Sequence, residues 1–388
     1  MIEYDSKPFG HGPVHHLDRL LAFQRIERAG VWRCAAAAFL ISWPPLVVAA
    51  AWEGLAVGGA SHESLIFDFV AIARYAIAVP LLVFGESIYV PRLCRIHREF
   101  AEGGFVADED QKRFAELGTR TEHVLGSVWM EVALVVLAYG ITFGVQDAQY
   151  RTGSSSWATP VIDGLQYRSS AGWWRMLVSH PLFLLLVLRN VVRLCTWTSV
   201  LWRISRMNLR LVAVHADRVG GLRFVTTSVY ALLPLAFTFG VLMAAPATEG
   251  VVVDGMSPWD FQNRIIATPI IALAAFAGPL LVFEQQLWRL KVQGVFDYGN
   301  LATRVGRRFE ARWLTRSPVT ESVLDAPDFS ATTDLFSIVA NVRESRLVLV
   351  DSLVMVPLIV TVLAPFVPLF LALVRVDEIL KFVWRAVM

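Results

Sequence analysis

Seven long apolar stretches constrain this chain more than any other feature of its sequence. A helix of about 20 mainly apolar residues crosses the hydrocarbon core of a bilayer. The stretches are continuous and lack the two-residue alternation of a membrane barrel. Hydrophobic residues make up 55% of the chain and charged residues 18%, which fits lipid-facing helices. The sequence therefore predicts an all-α, polytopic transmembrane protein with about seven spans, placed at 34–52, 66–90, 125–145, 174–201, 224–245, 265–290 and 347–374.

Loop charge predicts the orientation of these spans. The loops alternate between segments rich in Lys and Arg and segments nearly without them; 53–65 and 248–263 contain neither residue. Basic loops stay in the cytosol, so the amino terminus is predicted to be cytosolic. A full seventh span would export Arg375, Lys381 and Arg385. A re-entrant seventh segment, broken by its prolines, would return this tail to the cytosol, and both alternatives stay open.

The same pattern divides the chain into eight segments. Segments 91–124 and 291–346 are predicted to form helices that pack together as a small cytosolic layer. Arginines at 203, 206 and 210 have the spacing of an amphipathic helix that contacts anionic lipid, and topology explains the basic loops without any nucleic acid. The segments are a cytosolic amino-terminal segment (1–33), spans one and two (34–90), a helical hairpin (91–124), spans three and four (125–201), a basic linker (202–223), spans five and six (224–290), a helical segment (291–346), and span seven with a short amphipathic tail (347–388).

Ionisable residues inside the spans are the first candidates for function, because each costs about 2.5–3.5 kcal/mol at a helix centre. Arg189 and Arg193 are four residues apart and share one helix face. One interpretation is a wet passage lined by carboxylates, with the arginines as counter-charges. The other is a set of buried ion pairs that fix helix register, with snorkelling near the interface. Asp68 and Arg74 lie in the outer half of span two, whereas a polar layer in the cytosolic half is predicted to contain Glu86, Glu131, Arg189, Arg193, Glu284 and Asp351.

The linker between spans four and five carries the string HADRVGGL, residues 215–222. Asp217 can cap the following helix, and Gly220 and Gly221 allow backbone conformations closed to other residues. His215 and Asp217 can both bind metal, but two ligands do not make a site. A structural turn and a ligand-binding turn remain the two interpretations, and no metal or cofactor is predicted.

This string resembles the His-Pro-Asp-Arg-Ala-Gly-Gly-Leu signature of a family of bacterial multi-span membrane proteins. Stretches 79–110 and 340–381 are also similar to that family's pattern, while Ala216 stands where the family usually has Pro and Arg223 where Gly is usual. The resemblance implies a bacterial inner-membrane protein but no particular activity. The family's recurring positions would be His215, Asp217, Arg218, Gly220, Gly221 and Glu86.

Three functions remain open from the sequence. An ion channel or transporter, in homo-oligomeric form and with an ion as substrate, fits the polar layer best, with 215–221 in its gate or sensor. A membrane-anchored scaffold or signalling protein would act through its cytosolic helices. A lipid-processing enzyme would have only His215 and Asp217 as acid–base candidates. The chain lacks the HExxH, GxSxG and P-loop signatures, so an enzyme is the least favoured.

Overall fold

The computed structural model describes residues 28–57, 64–151, 156–162, 165–314 and 328–369. Within them, seven helices are long and apolar enough to cross a membrane, which confirms the all-α polytopic prediction. We call them spans 1 to 7: Gly30–Trp52, Phe69–Glu102, Val128–Val145, Ser170–Ile204, Leu233–Val252, Pro258–Trp313 and Ser352–Leu369. The strands described, Val161–Ile162 and Leu165–Gln166, form a two-stranded antiparallel sheet between spans 3 and 4.

Helical elements make up most of the described residues, and their bounds are as follows. The α-helices of at least nine residues are Arg28–Ser42, Pro44–Trp52, Val79–Glu102, Gln111–Leu125, Val128–Arg151, His180–Ile204, Leu233–Val252, Gln262–Ala272, Glu284–Trp313, Asp328–Arg343 and Ser352–Leu363. Shorter α-helical pieces are Phe69–Ala71, Ser170–Trp174 and Thr227–Ala231. The 3₁₀ turns are Leu65–Phe67, Asp108–Asp110, Leu222–Thr226, Pro258–Phe261, Gly278–Phe283 and Ala364–Phe366.

Three spans contain a π-helical segment next to a proline. The segments Ile72–Ala78, Arg175–Ser179 and Leu273–Ala277 end two residues before Pro80, Pro181 and Pro279. Proline has no amide hydrogen, and its ring clashes with the carbonyl four residues earlier. A widened turn relieves that clash, and π segments recur at functional sites. Spans 2, 4 and 6 therefore each contain a π-helical turn, and in span 6 the 3₁₀ turn Gly278–Phe283 follows it directly.

One end of the bundle carries residues 103–127, 205–221, 284–314 and 328–351, and we call it the basic end. The backbone of 105–107 pairs with that of 208–210: Arg210 donates its amide hydrogen to Phe105 at 2.7 Å. The helix Glu284–Trp313 packs against Asp328–Arg343. Helices and linkers together thus form a layer at this end, outside the apolar parts of the spans.

The packing of span 5 against span 7 depends on a small residue. A Cβ atom added at Gly240 would lie 2.3 Å from the carbonyl oxygen of Val362, a contact that cannot form. We expect Gly240→Ala to lower the free energy of unfolding by about 1–3 kcal/mol, because the helices must separate. Gly140→Ala is the matched control, since a Cβ there meets nothing within 4 Å. Unfolding in mixed detergent micelles measures both; equal stabilities would contradict this packing.

Candidate functional site

Glu86, Arg189 and Arg193 form one buried cluster between spans 2 and 4. Glu86 lies on Val79–Glu102, and both arginines lie on His180–Ile204, one turn apart on the face that packs against span 2. The two guanidinium groups both form ion pairs with Oε1 of Glu86. The exposed fraction of the side chain is 14% for Glu86, 11% for Arg189 and 4% for Arg193. Three ionisable groups that the sequence placed in one layer are therefore in contact.

One carboxylate forms ion pairs with both arginines of this cluster. Two guanidinium cations share one carboxylate, and both are permanently protonated. Oε2 of Glu86 is buried and accepts no hydrogen bond from the described part of the chain. Removing three charged groups from water is costly, and only close pairing offsets that cost. Glu86 is therefore the anion that holds both arginines in place.

Polar contacts continue one turn along the same interface. Tyr89 donates its hydroxyl hydrogen to Oδ1 of Asn190 at 2.7 Å, and Asn190 donates to the Leu186 carbonyl at 2.8 Å. Both side chains are buried. Tyr89 is three residues from Glu86, so the two residues share the helix face that meets span 4.

A second polar group lies further along spans 2 and 4, toward the end opposite the basic end. The Tyr75 hydroxyl and His180 Nδ1 are hydrogen-bonded at 2.9 Å, and both residues are buried. Ser42 of span 1 donates to the Tyr75 carbonyl and Ser179 donates to the Ser42 carbonyl, each at 2.8 Å. Sequence reasoning missed Tyr75 and His180 because it searched for charge. Neutral polar residues within apolar runs were the available signal.

We call the polar residues at the interface of spans 2 and 4 the polar seam: Tyr75, Glu86, Tyr89, His180, Arg189, Asn190 and Arg193. Three buried apolar side chains, Leu82, Phe183 and Leu186, lie between its two groups. Tyr75 and Glu86 are eleven positions apart, about 16 Å along a helix. The seam thus consists of two polar groups separated by an apolar layer.

Asp68, predicted in the outer half of span 2, lies at the start of that span. Its carboxylate accepts hydrogen bonds from the Ala71 amide at 2.6 Å and from Nε1 of Trp157 at 2.8 Å. It therefore caps a helix and anchors the segment between spans 3 and 4. The Arg175 guanidinium lies 5.1 Å from the centre of the Trp157 ring.

The remaining members of the predicted layer are distributed differently. Glu131 is buried in the first turn of Val128–Arg151, a helix that packs against span 4. Glu284 is exposed at the start of Glu284–Trp313. Asp351 lies just before span 7, where it accepts the Val354 amide hydrogen and pairs with Arg223 and Arg346. Sequence depth placed Asp351 inside span 7, but residues 345–351 are not helical and the helix begins at Ser352.

The HADRVGGL string forms a tight turn built around the carboxylate of Asp217. Oδ1 accepts the amide hydrogens of Val219 and Gly221 at 3.0 Å, and Oδ2 accepts that of Arg223 at 3.1 Å. Nδ1 of His215 lies 2.8 Å from Oδ1. Burial alone would raise the pKa of Asp217, but the three amides and His215 lower it below 3.8.

Backbone geometry explains the glycines of this turn. Gly220 and Gly221 have φ values of 68° and 97°, and a Cβ at Gly221 would lie 2.7 Å from the Phe105 ring. Arg218 also has positive φ, 62°, and its carbonyl accepts the Arg346 amide hydrogen at 2.7 Å. The turn therefore joins residues near 105 and 346, and this geometry favours the structural interpretation.

The described residues contain no group of three or more metal-ligating side chains. His215 and Asp217 contact each other, but no third metal-ligating side chain among the described residues joins them. The hydrogen bonds of the turn join separate connections at the basic end, whereas the polar seam places ionised groups inside two spans. The seam is the better candidate for function.

No protein-family model matches this chain, and no curated protein or solved structure matches it. Membership of the bacterial family with the His-Pro-Asp-Arg-Ala-Gly-Gly signature stays a prediction. Functional conclusions therefore rest on the geometry of the seam.

Proposed function

We propose that this membrane protein is an ion channel or transporter whose ion path follows the polar seam. The observation that carries the proposal is Glu86 held between Arg189 and Arg193 inside the interface of spans 2 and 4. Ionised groups within spans are rare and mark ion pathways and proton relays. The two ion pairs place three ionisable groups from spans 2 and 4 at one point of their interface, where an ion path along the seam would pass.

The apolar layer of Leu82, Phe183 and Leu186 supports the same proposal. It separates the Tyr75–His180 pair from the Glu86 cluster, and apolar constrictions close ion paths by excluding water. The π segments Ile72–Ala78 and Arg175–Ser179 lie beside this layer on spans 2 and 4. Irregular turns let a helix bend locally. Spans 2 and 4 can therefore each bend next to the apolar layer, which would separate its side chains and admit water.

We further propose the setting in which this path works. The protein lies in a bacterial inner membrane with a cytosolic amino terminus, so the basic end faces the cytosol and contacts anionic lipid. It acts as a homo-oligomer and belongs to the family that HADRVGGL resembles. The turn at Asp217, which contacts several connections at that end, would transmit gating movements to span 5.

Flux through the purified full-length protein in liposomes tests the proposal. We expect wild-type protein to pass ions under a voltage or pH gradient, and Arg193→Met to reduce that flux at least about tenfold. Glu284→Gln changes an exposed carboxylate outside the cluster and should leave the flux unchanged. No flux of chloride, nitrate, potassium, sodium or protons from wild-type protein would overturn the proposal.

A scaffold function is the second candidate. Two aromatic side chains at the basic end, Phe296 and Phe336, are 67% and 54% exposed on the helices Glu284–Trp313 and Asp328–Arg343. Exposed aromatic residues beyond the apolar part of a span are typical of protein interfaces. The scaffold hypothesis expects a co-purifying protein that is lost from Phe296→Ser but retained by Arg189→Leu. Retention by both variants would exclude this surface.

A further inference from the structure

We infer, resting on the ion path proposed above, that the permeant ion is a small monovalent anion that binds together with a proton, and that Glu86 competes with it for Arg189 and Arg193. The inference names the substrate class of the seam and gives Glu86 a specific part in transport. Glu86 is the seam's built-in anion.

The ligand class follows from the groups that line the cluster. Guanidinium groups only donate hydrogen bonds and stay charged, so two of them together repel cations and attract anions. In the structure, the anion they hold is the carboxylate of Glu86. A species of similar charge and size, such as chloride, nitrate or formate, can replace it. A cation at the same place would face both guanidinium groups directly.

Competition requires that Glu86 release the arginines. While both guanidinium groups contact the carboxylate it stays ionised, so the entering anion must first take its place. The released carboxylate is then buried without its cations, which favours its protonation. One proton converts the Glu86 carboxylate to a neutral carboxylic acid and adds one positive charge to the cluster. One monovalent anion between Arg189 and Arg193 cancels that charge. Proton and anion thus favour each other's binding, and linkage makes the effect reciprocal. Coupled movement of one proton with one anion in the same direction follows.

We assign proton binding to Glu86 and not to the other titratable groups near it. Tyr89 lies one turn along span 2 and is hydrogen-bonded to Asn190. Glu131 is buried on span 3, which packs against span 4, whereas the ion pairs of Glu86 run between spans 2 and 4. Span 1 contributes Arg33 and Cys34 near its start, and span 5 contributes Glu249, which accepts the Val70 amide hydrogen at 3.1 Å. Tyr230, on the helix before span 5, donates to the Leu353 carbonyl.

The experiment uses full-length protein in liposomes that contain a halide-sensitive dye and a pH-sensitive dye. Lowering the pH from about 7.5 to about 5.5 should raise wild-type chloride and nitrate flux at least about threefold, with protons moving alongside. Glu86→Gln resembles protonated Glu86, so its anion flux should be fast at both pH values and should move no protons. Glu284→Gln should behave as wild type.

The outcomes separate the two proposals. Potassium or sodium flux without anion dependence would overturn the anion inference and leave the ion path standing. Anion flux that stays equally pH-dependent in Glu86→Gln would also overturn the inference. No flux of any ion would overturn both. If Glu86→Gln does not fold, the thermal stability of wild-type protein decides: nitrate must raise its midpoint more at about pH 5.5 than at about pH 7.5.

Discussion

Replacing Glu86 with leucine is expected to lower the free energy of unfolding by about 3–5 kcal/mol, the cost of removing one partner from a buried ion pair. Arg189 and Arg193 would lose the carboxylate with which both form ion pairs, and Arg193 is only 4% exposed. Unfolding in mixed micelles, followed by tryptophan fluorescence, measures the change. The effect is large because an uncompensated charge stays inside the bundle.

Two further variants identify the cause of the stability loss in Glu86→Leu. Glu284→Leu removes an exposed carboxylate and should change stability by no more than about 0.5 kcal/mol. The triple variant Glu86→Leu, Arg189→Met, Arg193→Met removes all three charges and should recover most of the loss. A Glu86→Leu protein as stable as Glu284→Leu would show that Glu86 does not hold the arginines.

Replacing Asp217 with alanine is expected to lower the free energy of unfolding by about 2–4 kcal/mol at neutral pH, because three amide hydrogens lose a charged acceptor. Val219, Gly221 and Arg223 donate those hydrogens. Asp297→Ala is the matched control, since Asp297 is exposed on the helix Glu284–Trp313. Equal stability of the two variants would show that the turn does not depend on Asp217.

The pH dependence of this difference has a definite sign. Folding lowers the pKa of Asp217 below 3.8, so its ionised form stabilises the native state. That contribution is fully present above the ordinary value and is lost as the pH falls through the lowered value. The stability difference between wild type and Asp217→Ala should therefore be constant near neutrality and shrink in strong acid. A difference that grows in acid would contradict the geometry of the turn.

Hydropathy was sufficient to predict the number of spans and their approximate positions, because the bilayer requires long apolar helices whatever their tertiary contacts. Span 5, predicted at 224–245, is Leu233–Val252 in the structure. Hydropathy also predicted that Glu86, Arg189 and Arg193 lie in one layer of the membrane. Depth does not reveal which face of a helix a residue occupies, and for that reason the exposed position of Glu284 was not predicted. The i, i+4 spacing of the arginines was the better signal, because it fixed their shared face.

The start of span 7 shows a different limit. Residues 347–350 are apolar and continue the hydropathy of the span, yet they are not helical. Arg346 donates its amide hydrogen to the Arg218 carbonyl, and Asp351 caps the helix that begins at Ser352. Contacts with a turn more than a hundred residues away set this boundary, so local sequence could not predict it.

A cryo-electron microscopy structure in lipid nanodiscs at acidic pH, with nitrate present, tests the ion path most directly. We expect ordered water to reach Glu86 from the basic end, with anion density between Arg189 and Arg193 and Glu86 withdrawn from at least one of them. A dry interface in every protomer, with Glu86 still paired to both arginines and no water between spans 2 and 4, would contradict the ion path. The cluster would then serve only to fix the register of the two helices.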